Sequence, residues 1–216
     1  MFRSFGWPEF LVLLDGLQWT AAISVVTFAG GGALGLLILL LRVAPSRPVR
    51  WLAVGYIQAI QGTPLLGHLF LIFFGLPLLG YPISRWSAVS LAMSIYASAF
   101  LAEIWRGAVQ AVPSGQWEAG AALGLTRLKQ FRLVILPQAL TIAIPPTVGF
   151  MVQIVKNTSL ASIIGFAELS RRAQLVNGTT FEPFLVYGVT AVLYFCLCFP
   201  LTKWSRALER RRALAR

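Results

Sequence analysis

Charged residues are scarce in this sequence of 216 residues, and acidic ones are the scarcest. Only 12% of the residues are Asp, Glu, Lys or Arg, and seven residues are acidic, whereas globular proteins average about 25% charged residues. The mean hydropathy is +0.76, and the first long run without a charge extends from Gly16 to Leu41. This composition excludes an ordinary soluble domain and is typical of an integral membrane protein.

Neither the few cysteines nor the positive net charge indicates a metal or a nucleic-acid partner. Cys196 and Cys198 stand two residues apart in an apolar run, so on a helix they point in different directions, and two cysteines alone make no metal site. The net charge is +11, but the basic residues lie between and after apolar runs. There they can face anionic lipid and fix the orientation of the chain. We therefore expect a lipid bilayer as partner and no nucleic acid.

Five apolar stretches are candidates for membrane spans, which need about 20 apolar residues each. They lie within Leu17–Leu41, within Trp51–Phe74, and at about Trp86–Val109, Leu140–Val155 and Pro183–Thr202. The first is too long for the apolar core of a signal peptide, which is about 7–15 residues. The second is predicted to stop at Gly75-Leu76-Pro77. The fourth is predicted to begin near Pro145-Pro146 and to continue, broken, through Asn157-Thr158-Ser159 toward Ile164.

Gly31 and Gly35 place small residues on one face of the first span. Such a face allows close approach of a second helix. We favour packing within one subunit over a dimer motif. The fold class predicted is an all-α integral membrane protein with a single transmembrane domain over residues 1–216.

The basic residues are divided unevenly between the two sides that five spans define. One side holds most of the 18 Lys and Arg residues: Arg42, Arg47, Arg50, Arg127, Lys129, Arg132, Lys203, Arg206, Arg210, Arg211, Arg212 and Arg216. The other side holds Arg3, Arg85, Arg171 and Arg172, while Arg106 and Lys156 lie at or near span ends. Because cytoplasmic loops are enriched in basic residues, we expect the N-terminus outside and the C-terminus in the cytoplasm.

On this topology residues 113–137 form a cytoplasmic segment that interrupts the apolar pattern. Ser114 is predicted to cap a first short helix and Gly124 to break it. Thr126 is predicted to cap a second helix, which Pro137 closes. The second helix carries an apolar stripe at helical spacing, formed by Leu128, Phe131 and Ile135. Such a unit either docks into a groove of a partner protein or lies on the membrane surface.

The spacing of this segment resembles the EAA motif of ABC importer permeases. That motif reads Glu-Ala-Ala, three residues, Gly, nine residues, Ile, one residue and Leu-Pro. The matching positions here are Glu118, Ala119, Gly120, Gly124, Val134, Leu136 and Pro137. Gly120 replaces the second alanine and Val134 replaces the isoleucine, and both are small changes of volume.

Three further stretches resemble the permeases of the polar amino acid uptake family, which serves histidine, arginine, glutamine and glutamate. They are residues 62–77, 101–125 and 156–169. The resemblance implies the fold of an ABC type I importer permease. In that fold five transmembrane helices carry a cytoplasmic pair of coupling helices between spans three and four.

The resemblance also implies a mechanism and its partners. Two permease subunits, identical or sister subunits, would form the pathway, and each EAA segment would insert into a cleft of a cytoplasmic ATPase. A solute-binding protein would deliver a polar amino acid from outside. ATP and Mg would bind the ATPase, and this sequence has no Gly-x-x-x-x-Gly-Lys-Ser/Thr phosphate loop. We therefore expect a non-enzymatic subunit of the bacterial inner membrane, with no cofactor of its own.

Uncharged polar residues in or beside the spans are candidates for the substrate path. Asn157, Thr158 and Ser159 follow span four and either line a cavity or cap the end of the span. Gln61 and Gln153 are weaker candidates of the same kind.

Two acidic residues each have a functional and a structural interpretation. Glu118 either binds the ATPase or, as an acidic residue early in its helix, stabilises that helix through the helix dipole. Glu103 lies inside span three, where an ionisable group is a functional candidate. However, Arg106 three residues later can pair with it, and we favour that ion pair. His68, among apolar residues, we interpret as a hydrogen-bonded packing residue.

Two other classes of protein compete with an ABC importer permease. An ion- or proton-coupled secondary amino acid transporter predicts inverted repeats and more ionisable groups at mid-membrane. Neither is visible: five spans cannot be divided into two equal repeats, and Glu103 is nearly the only ionisable residue well inside a predicted span. A purely structural scaffold gives no reason for the spacing of the EAA segment. Co-purification with a nucleotide-binding subunit discriminates all three classes.

Overall fold

The computed structural model describes residues 4–214, with side chains as far as Arg210. Within this part the regular secondary structure is helical, with short connecting turns, and there is no strand. We label the helices α1 (Trp7–Arg42), α2 (Arg47–Gln61), α3 (Leu65–Leu78), α4 (Arg85–Gln110), α5 (Ser114–Ala122), α6 (Arg127–Ile164), α7 (Leu169–Thr180) and α8 (Pro183–Leu214). In the described residues, α1, α4, α6 and α8 are long and apolar enough to cross a membrane, and α2 with α3 makes a fifth, bent span. The all-α, five-span fold predicted from the sequence is confirmed.

Helices α1 and α4 run side by side in the same direction. Near one end the rings of Trp19 and Trp86 are 5.4 Å apart, and near the other end Arg42 Nε lies 3.8 Å from Glu103 Oε1. Two parallel spans must have an odd number of crossings between them. The bent pair α2–α3 therefore has to be a single crossing, as the five-span order requires.

Small residues allow α1 and α4 to approach closely. A Cβ atom at Gly31 would lie 2.5 Å from the Cβ of Ala97, and one at Gly35 would lie 3.0 Å from the carbonyl oxygen of Ser98. No side chain fits at such distances. The glycine face of span one thus serves packing within the chain, as the sequence interpretation favoured over a dimer motif.

The second span is bent, a feature that was not predicted from the sequence. The axes of α2 and α3 differ by 100° across a break at residues 62–64. Thr63 precedes Pro64, and the residue before a proline is pushed out of the helical region; Pro64 itself is extended and caps α3. His68 Nε2 and Thr63 Oγ1 are hydrogen-bonded at 2.9 Å beside the bend, so His68 has the packing role expected of it.

Two helices pass through a proline that the sequence indicated as a stop. A π-helical turn, Leu71–Gly75, precedes Pro77 in α3, and another, Phe131–Ile135, precedes Pro137 in α6. A proline lacks an N–H, and its ring clashes with the carbonyl four residues earlier. The wider π turn moves that carbonyl aside. Span two nevertheless ends at Leu78, one residue after Pro77, so its predicted stop is confirmed to within a residue. The prediction that Pro137 closes the second short helix was wrong, because α6 continues through it.

Helix α6 is consequently longer than the predicted fourth span. It is α-helical from Leu136 to Asn157 and continues as a 3₁₀ helix, Thr158–Ile164. The predicted continuation toward Ile164 is confirmed, with a change of helix type at Thr158 where a break was predicted. Pro145 and Pro146 lie inside the helix instead of starting it. The carbonyl of Pro145 accepts a 3.0 Å hydrogen bond from Ser205 Oγ of α8.

Three of the five clusters of buried side chains in the described residues position the two ends of the bundle. The largest joins α1, α3, α4 and α6 and includes Ile23, Leu69, Val89, Met93 and Ile154. A second joins α7, which was not predicted, to α1 and α8 through Leu13, Leu169, Ala173 and Val186. A third lies beneath α5 and contains Val112, Ile135 and Ala139. The core thus fixes the α5–α6 elbow at one end of the bundle and α7 at the other.

Candidate functional site

Helix α5 and the first turn of α6 form the elbow that we call the coupling segment, Ser114–Gln130. Helix α5 is capped by Pro113, with Ser114 as its first residue, so the prediction of Ser114 as N-cap was wrong by one position. At the other end, Gly124 has φ +70°. Its N–H donates to Ala121 O at 2.9 Å, and the N–H of Leu125 donates to Gly120 O at 3.1 Å. This is a Schellman turn, which favours glycine at its left-handed position.

The second half of the elbow begins as the sequence predicts. Thr126 Oγ1 accepts from the N–H of Lys129 at 3.5 Å and caps α6. From there the helix runs without interruption through the π turn into span four. The second part of the coupling segment, from Arg127, and span four therefore belong to one helix, so displacement of the elbow displaces the span.

The outer face of the coupling segment is apolar and open to solvent. Leu123 is 78% exposed and Leu128 is 67% exposed, and Leu133, three residues beyond the segment, is also 67% exposed. Glu118 and Ala119 are exposed on the same segment. Exposed leucines on a short helix pair are typical of a surface that docks into a protein groove.

The predicted apolar stripe of α6 is divided between two environments. Leu128 is exposed, but Phe131 and Ile135 pack beneath α5 against Val112 and Trp117. Leu128 lies beyond the cover that α5 provides, which explains the difference. Of the EAA positions further along, Leu136 is half-buried and Pro137 is exposed.

A cluster of charged residues lies on α1 and α4 near the coupling segment. Arg106 Nε lies 2.9 Å from both carboxylate oxygens of Glu103, and Arg106 Nη2 lies 2.5 Å from Oε2. Arg42 of α1 approaches the same carboxylate at 3.8 Å. Glu103 thus forms the ion pair with Arg106 that the sequence favoured, and it also faces a second guanidinium that the sequence did not indicate.

A polar face occurs on α6 just before its 3₁₀ continuation. Gln153 Nε2 donates to Asn157 Oδ1 at 2.9 Å, and Lys156 lies beside them, because residues three and four apart share a helix face. Gln153 and Lys156 are exposed. We call Gln153, Lys156 and Asn157 the polar stripe.

The other residues predicted for the substrate path do not extend this stripe: Thr158 and Ser159 follow it in the chain but bond to the backbone, and Gln61 lies on another helix. Thr158 is fully buried and donates to Val155 O at 2.8 Å, while Ser159 Oγ donates to Lys156 O at 2.8 Å. Gln61 is on α2, where its amide donates to Ala99 O at 3.4 Å. The structure therefore brings together two of the five predicted path residues, Gln153 and Asn157.

A groove of about 790 Å³ runs between α6 and α8 from Lys156 toward the coupling end. Tyr194 and Cys198 line it in the bundle, and the basic residues Lys203, Arg206 and Arg210 line it further along α8. Every charged side chain that lines this groove is cationic.

Sequence reasoning gave no role to Glu168, which is fully buried at the start of α7. Its carboxylate accepts the N–H groups of Ser170 at 2.9 Å and Arg171 at 2.8 Å and the phenol of Tyr194 at 2.8 Å. Thr20 Oγ1 lies 3.5 Å away and itself accepts the N–H of Leu169. Burial raises the pKa of Glu168, and these donors partly oppose that rise. The signal that could have indicated this cap is an acidic residue directly before a stretch that forms a helix.

An exposed elbow lies at one end of this bundle of membrane-spanning helices, and the helix that continues the elbow carries the polar stripe. These features are those of a membrane permease. Residues 31–214 match the family of binding-protein-dependent transport system inner membrane components. The chain belongs to this family and is a permease subunit of an ABC importer.

Curated relatives and solved structures agree with this assignment. The chain is 38% identical over 206 residues to the L-cystine transport system permease protein TcyB of Bacillus subtilis (strain 168), covering 95% of this chain and 87% of that one. It is 36% identical over 207 residues to the glutamine transport system permease protein GlnP of Escherichia coli (strain K12), covering 95% and 94%. An amino acid ABC transporter crystallised with histidines superposes with a TM-score of 0.90 at 33% identity, covering 97% and 100%. The MetNI methionine ABC transporter, at 20% identity and a TM-score of 0.75, shares the fold.

Proposed function

We propose that this permease subunit carries a polar amino acid across the bacterial inner membrane, and that an ATPase drives it through the coupling segment. The observation that carries the proposal is the continuity of α6. The exposed Leu128 and the polar stripe lie on one helix. Relatives named for L-cystine, glutamine and arginine support an amino acid as substrate.

The chain is oriented with its N-terminus outside and its C-terminus in the cytoplasm. The coupling segment, the loop after α1 and the end of α8 share most of the basic residues, and such loops remain in the cytoplasm. The parallel course of α1 and α4 supports this order of crossings. The coupling segment then faces the compartment that contains ATP.

The chain works with three kinds of partner. A separate ATPase supplies hydrolysis, since the sequence has no phosphate loop, and it receives Leu123, Leu128 and the carboxylate of Glu118 in a cleft. A second permease subunit, identical or related, completes the pathway, and a solute-binding protein delivers the substrate from outside. The chain itself binds no cofactor.

The polar stripe forms part of the substrate path. A cation within a span is costly unless it faces a cavity or a ligand, and Lys156 has no ion pair among the described residues. Its ammonium pairs with the substrate carboxylate, while the amides of Gln153 and Asn157 donate to and accept from the polar groups of the substrate. Thr158 and Ser159 shape the 3₁₀ turn beside the stripe, and Gln61 remains a predicted path residue.

Uptake by the reconstituted complex tests this proposal. The chain is purified with its ATPase and permease partners in proteoliposomes, the solute-binding protein is added, and uptake of labelled polar amino acids is measured with and without ATP. We expect uptake that requires ATP, and its loss in Lys156→Ala, with Lys203→Ala as the matched control at the end of the same groove. Uptake driven by a proton or sodium gradient without ATP would establish the secondary transporter instead.

A further inference from the structure

We propose that Gln130 is a positioning residue that fixes the angle of the coupling elbow, and that Gly120 is glycine because Gln130 occupies the space of its missing methyl group. This inference rests on the proposed role of the coupling segment. It explains why the second alanine of the EAA pattern is replaced in this chain.

Gln130 is buried inside the elbow, although its neighbours are open to solvent. It is 6% exposed, whereas Leu128 is 67% exposed and Lys129 is also exposed. An amide is unfavourable in a buried place unless it is hydrogen-bonded. Here Gln130 Nε2 donates to the carbonyl of Leu125 at 3.2 Å. The side chain thus fastens the start of α6 to the residue directly after the glycine turn.

Gly120 supplies the space for this side chain. A Cβ atom at Gly120 would lie 2.9 Å from Gln130 Cγ, 3.4 Å from Cδ and 3.6 Å from Nε2. A separation of 2.9 Å between two carbon atoms is well inside their van der Waals contact. An alanine at this position must therefore displace Gln130, which breaks the bond to Leu125, or move α5 away from α6.

The contact lies at the point where motion passes from one helix to the next. Gly120 is the buried residue of α5, and Gln130 is the last residue before the π turn that leads into span four. Force applied to the exposed face of α5 reaches α6 through this contact and through the turn at Gly124. If the contact is lost, the turn alone connects the two helices.

The matched pair of glycines in α5 allows a direct test. Gly120→Ala adds a methyl group against Gln130, whereas Gly115→Ala adds one where no atom lies within 4 Å. In the reconstituted complex we expect Gly120→Ala to reduce amino acid uptake at least about fivefold, while the ATPase remains bound and its basal hydrolysis continues. Gly115→Ala should transport like the wild type.

Rescue distinguishes positioning from general damage. Gln130→Ala removes the atoms that the new methyl group would meet, so the double variant Gly120→Ala/Gln130→Ala should transport within about twofold of Gln130→Ala alone. Gln130→Leu keeps carbon atoms at Cγ and Cδ without the hydrogen bond, so it should not rescue Gly120→Ala. The ratio of binding-protein-stimulated to basal ATP hydrolysis reports the coupling in each variant.

Normal uptake by Gly120→Ala would overturn the inference, and so would a double variant no better than Gly120→Ala alone. Loss of the ATPase from Gly120→Ala that Gln130→Ala does not reverse would also overturn it. A wild-type complex that binds no ATPase, or transports without ATP, would instead refute the proposed function, so the two failures are distinguishable.

Discussion

The phenol of Tyr194 donates a 2.8 Å hydrogen bond to Oε2 of Glu168 and so ties the last span to the start of α7. The same carboxylate accepts two backbone N–H groups of α7, and Thr20 of α1 lies against it. Three elements that are distant in the sequence thus meet at one buried charge. This end of the bundle is held by polar bonds in addition to the apolar packing of Leu13 and Leu169.

Glu168→Gln is expected to destabilise the chain. Several donors converge on the two carboxylate oxygens of Glu168, but a glutamine has only one accepting oxygen. Its NH₂ group would therefore face another donor. A lost or unsatisfied buried hydrogen bond costs about 1–3 kcal/mol. Thermal unfolding in detergent should show a lower Tm, with a smaller decrease for Tyr194→Phe. Glu182→Gln, at a partly exposed position, is the control and should leave Tm unchanged.

The effect of Glu168→Gln should also depend on pH. Because burial raises the pKa of Glu168, the folded chain holds this proton more tightly than the unfolded chain does. The resulting stabilisation is fully present below the unfolded-state pKa and is lost as pH rises through the folded-state pKa. We expect the Tm difference, wild type minus variant, to increase as pH is lowered from about 8 to about 5. A difference that decreased would contradict the raised pKa.

Glu103→Gln tests whether the charge cluster is structural. The variant leaves Arg42 and Arg106 facing each other without a carboxylate, and removing one partner of a partly buried pair is costly. We expect less folded protein in the membrane and a lower Tm, with partial recovery in Glu103→Gln/Arg106→Gln. Normal assembly with lost uptake would instead assign Glu103 a direct role in transport.

Gly31→Ala and Gly32→Ala separate helix packing from helix propensity. At Gly31 a Cβ would lie 2.5 Å from Ala97, but at Gly32 the nearest atom is 3.9 Å away, on Trp105. Overpacking costs about 1–3 kcal/mol, so Gly31→Ala should lower Tm. Gly32→Ala should keep or raise it, because alanine favours the helix. Equal effects of the two changes would argue against the close packing of α1 on α4.

Gly124→Asp is expected to leave membrane insertion intact and to abolish transport and coupled ATP hydrolysis. Gly124 has φ +70°, a conformation that side chains disfavour, and a carboxylate there would also stand beside the exposed leucines that enter the partner. Insertion is measured by membrane fractionation, and coupling by uptake and stimulated ATPase activity. Normal uptake by this variant would refute the role of the turn.

Local patterns predicted the elbow but not all that surrounds it. A glycine directly after an alanine-rich helix indicates a left-handed turn on its own, so Gly124 was predictable. The stretch around Gly62 and Pro64 lies in an apolar run that was interpreted as a single span, so the 100° bend was not predicted. Pro77 and Pro137 were interpreted as stops, because the missing N–H is visible in the sequence, whereas the π turn that accommodates it is not.

Glu168 shows the limit of local reasoning at the site. Its side-chain partners Thr20 and Tyr194 lie 148 and 26 residues away in the sequence, so no periodicity connects them. The space that Gly120 leaves for Gln130 likewise depends on how tightly the elbow closes. In both cases the composition of the segment was informative, but the partner was set by tertiary packing.

Because α6 is continuous from Leu128 to Lys156, the distance between these two residues is a reference length for the motion of span four. At about 1.5 Å per residue, the part from Leu128 to Lys156 measures about 42 Å. Probes on these two residues should keep a constant separation through the ATP cycle while both shift against α1. A bend would have to occur at the π turn or at Pro145-Pro146, where the regular backbone bonds are interrupted. A constant distance between the two probes therefore indicates that ATP hydrolysis tilts span four as a rigid helix, and a shorter distance indicates that the helix bends.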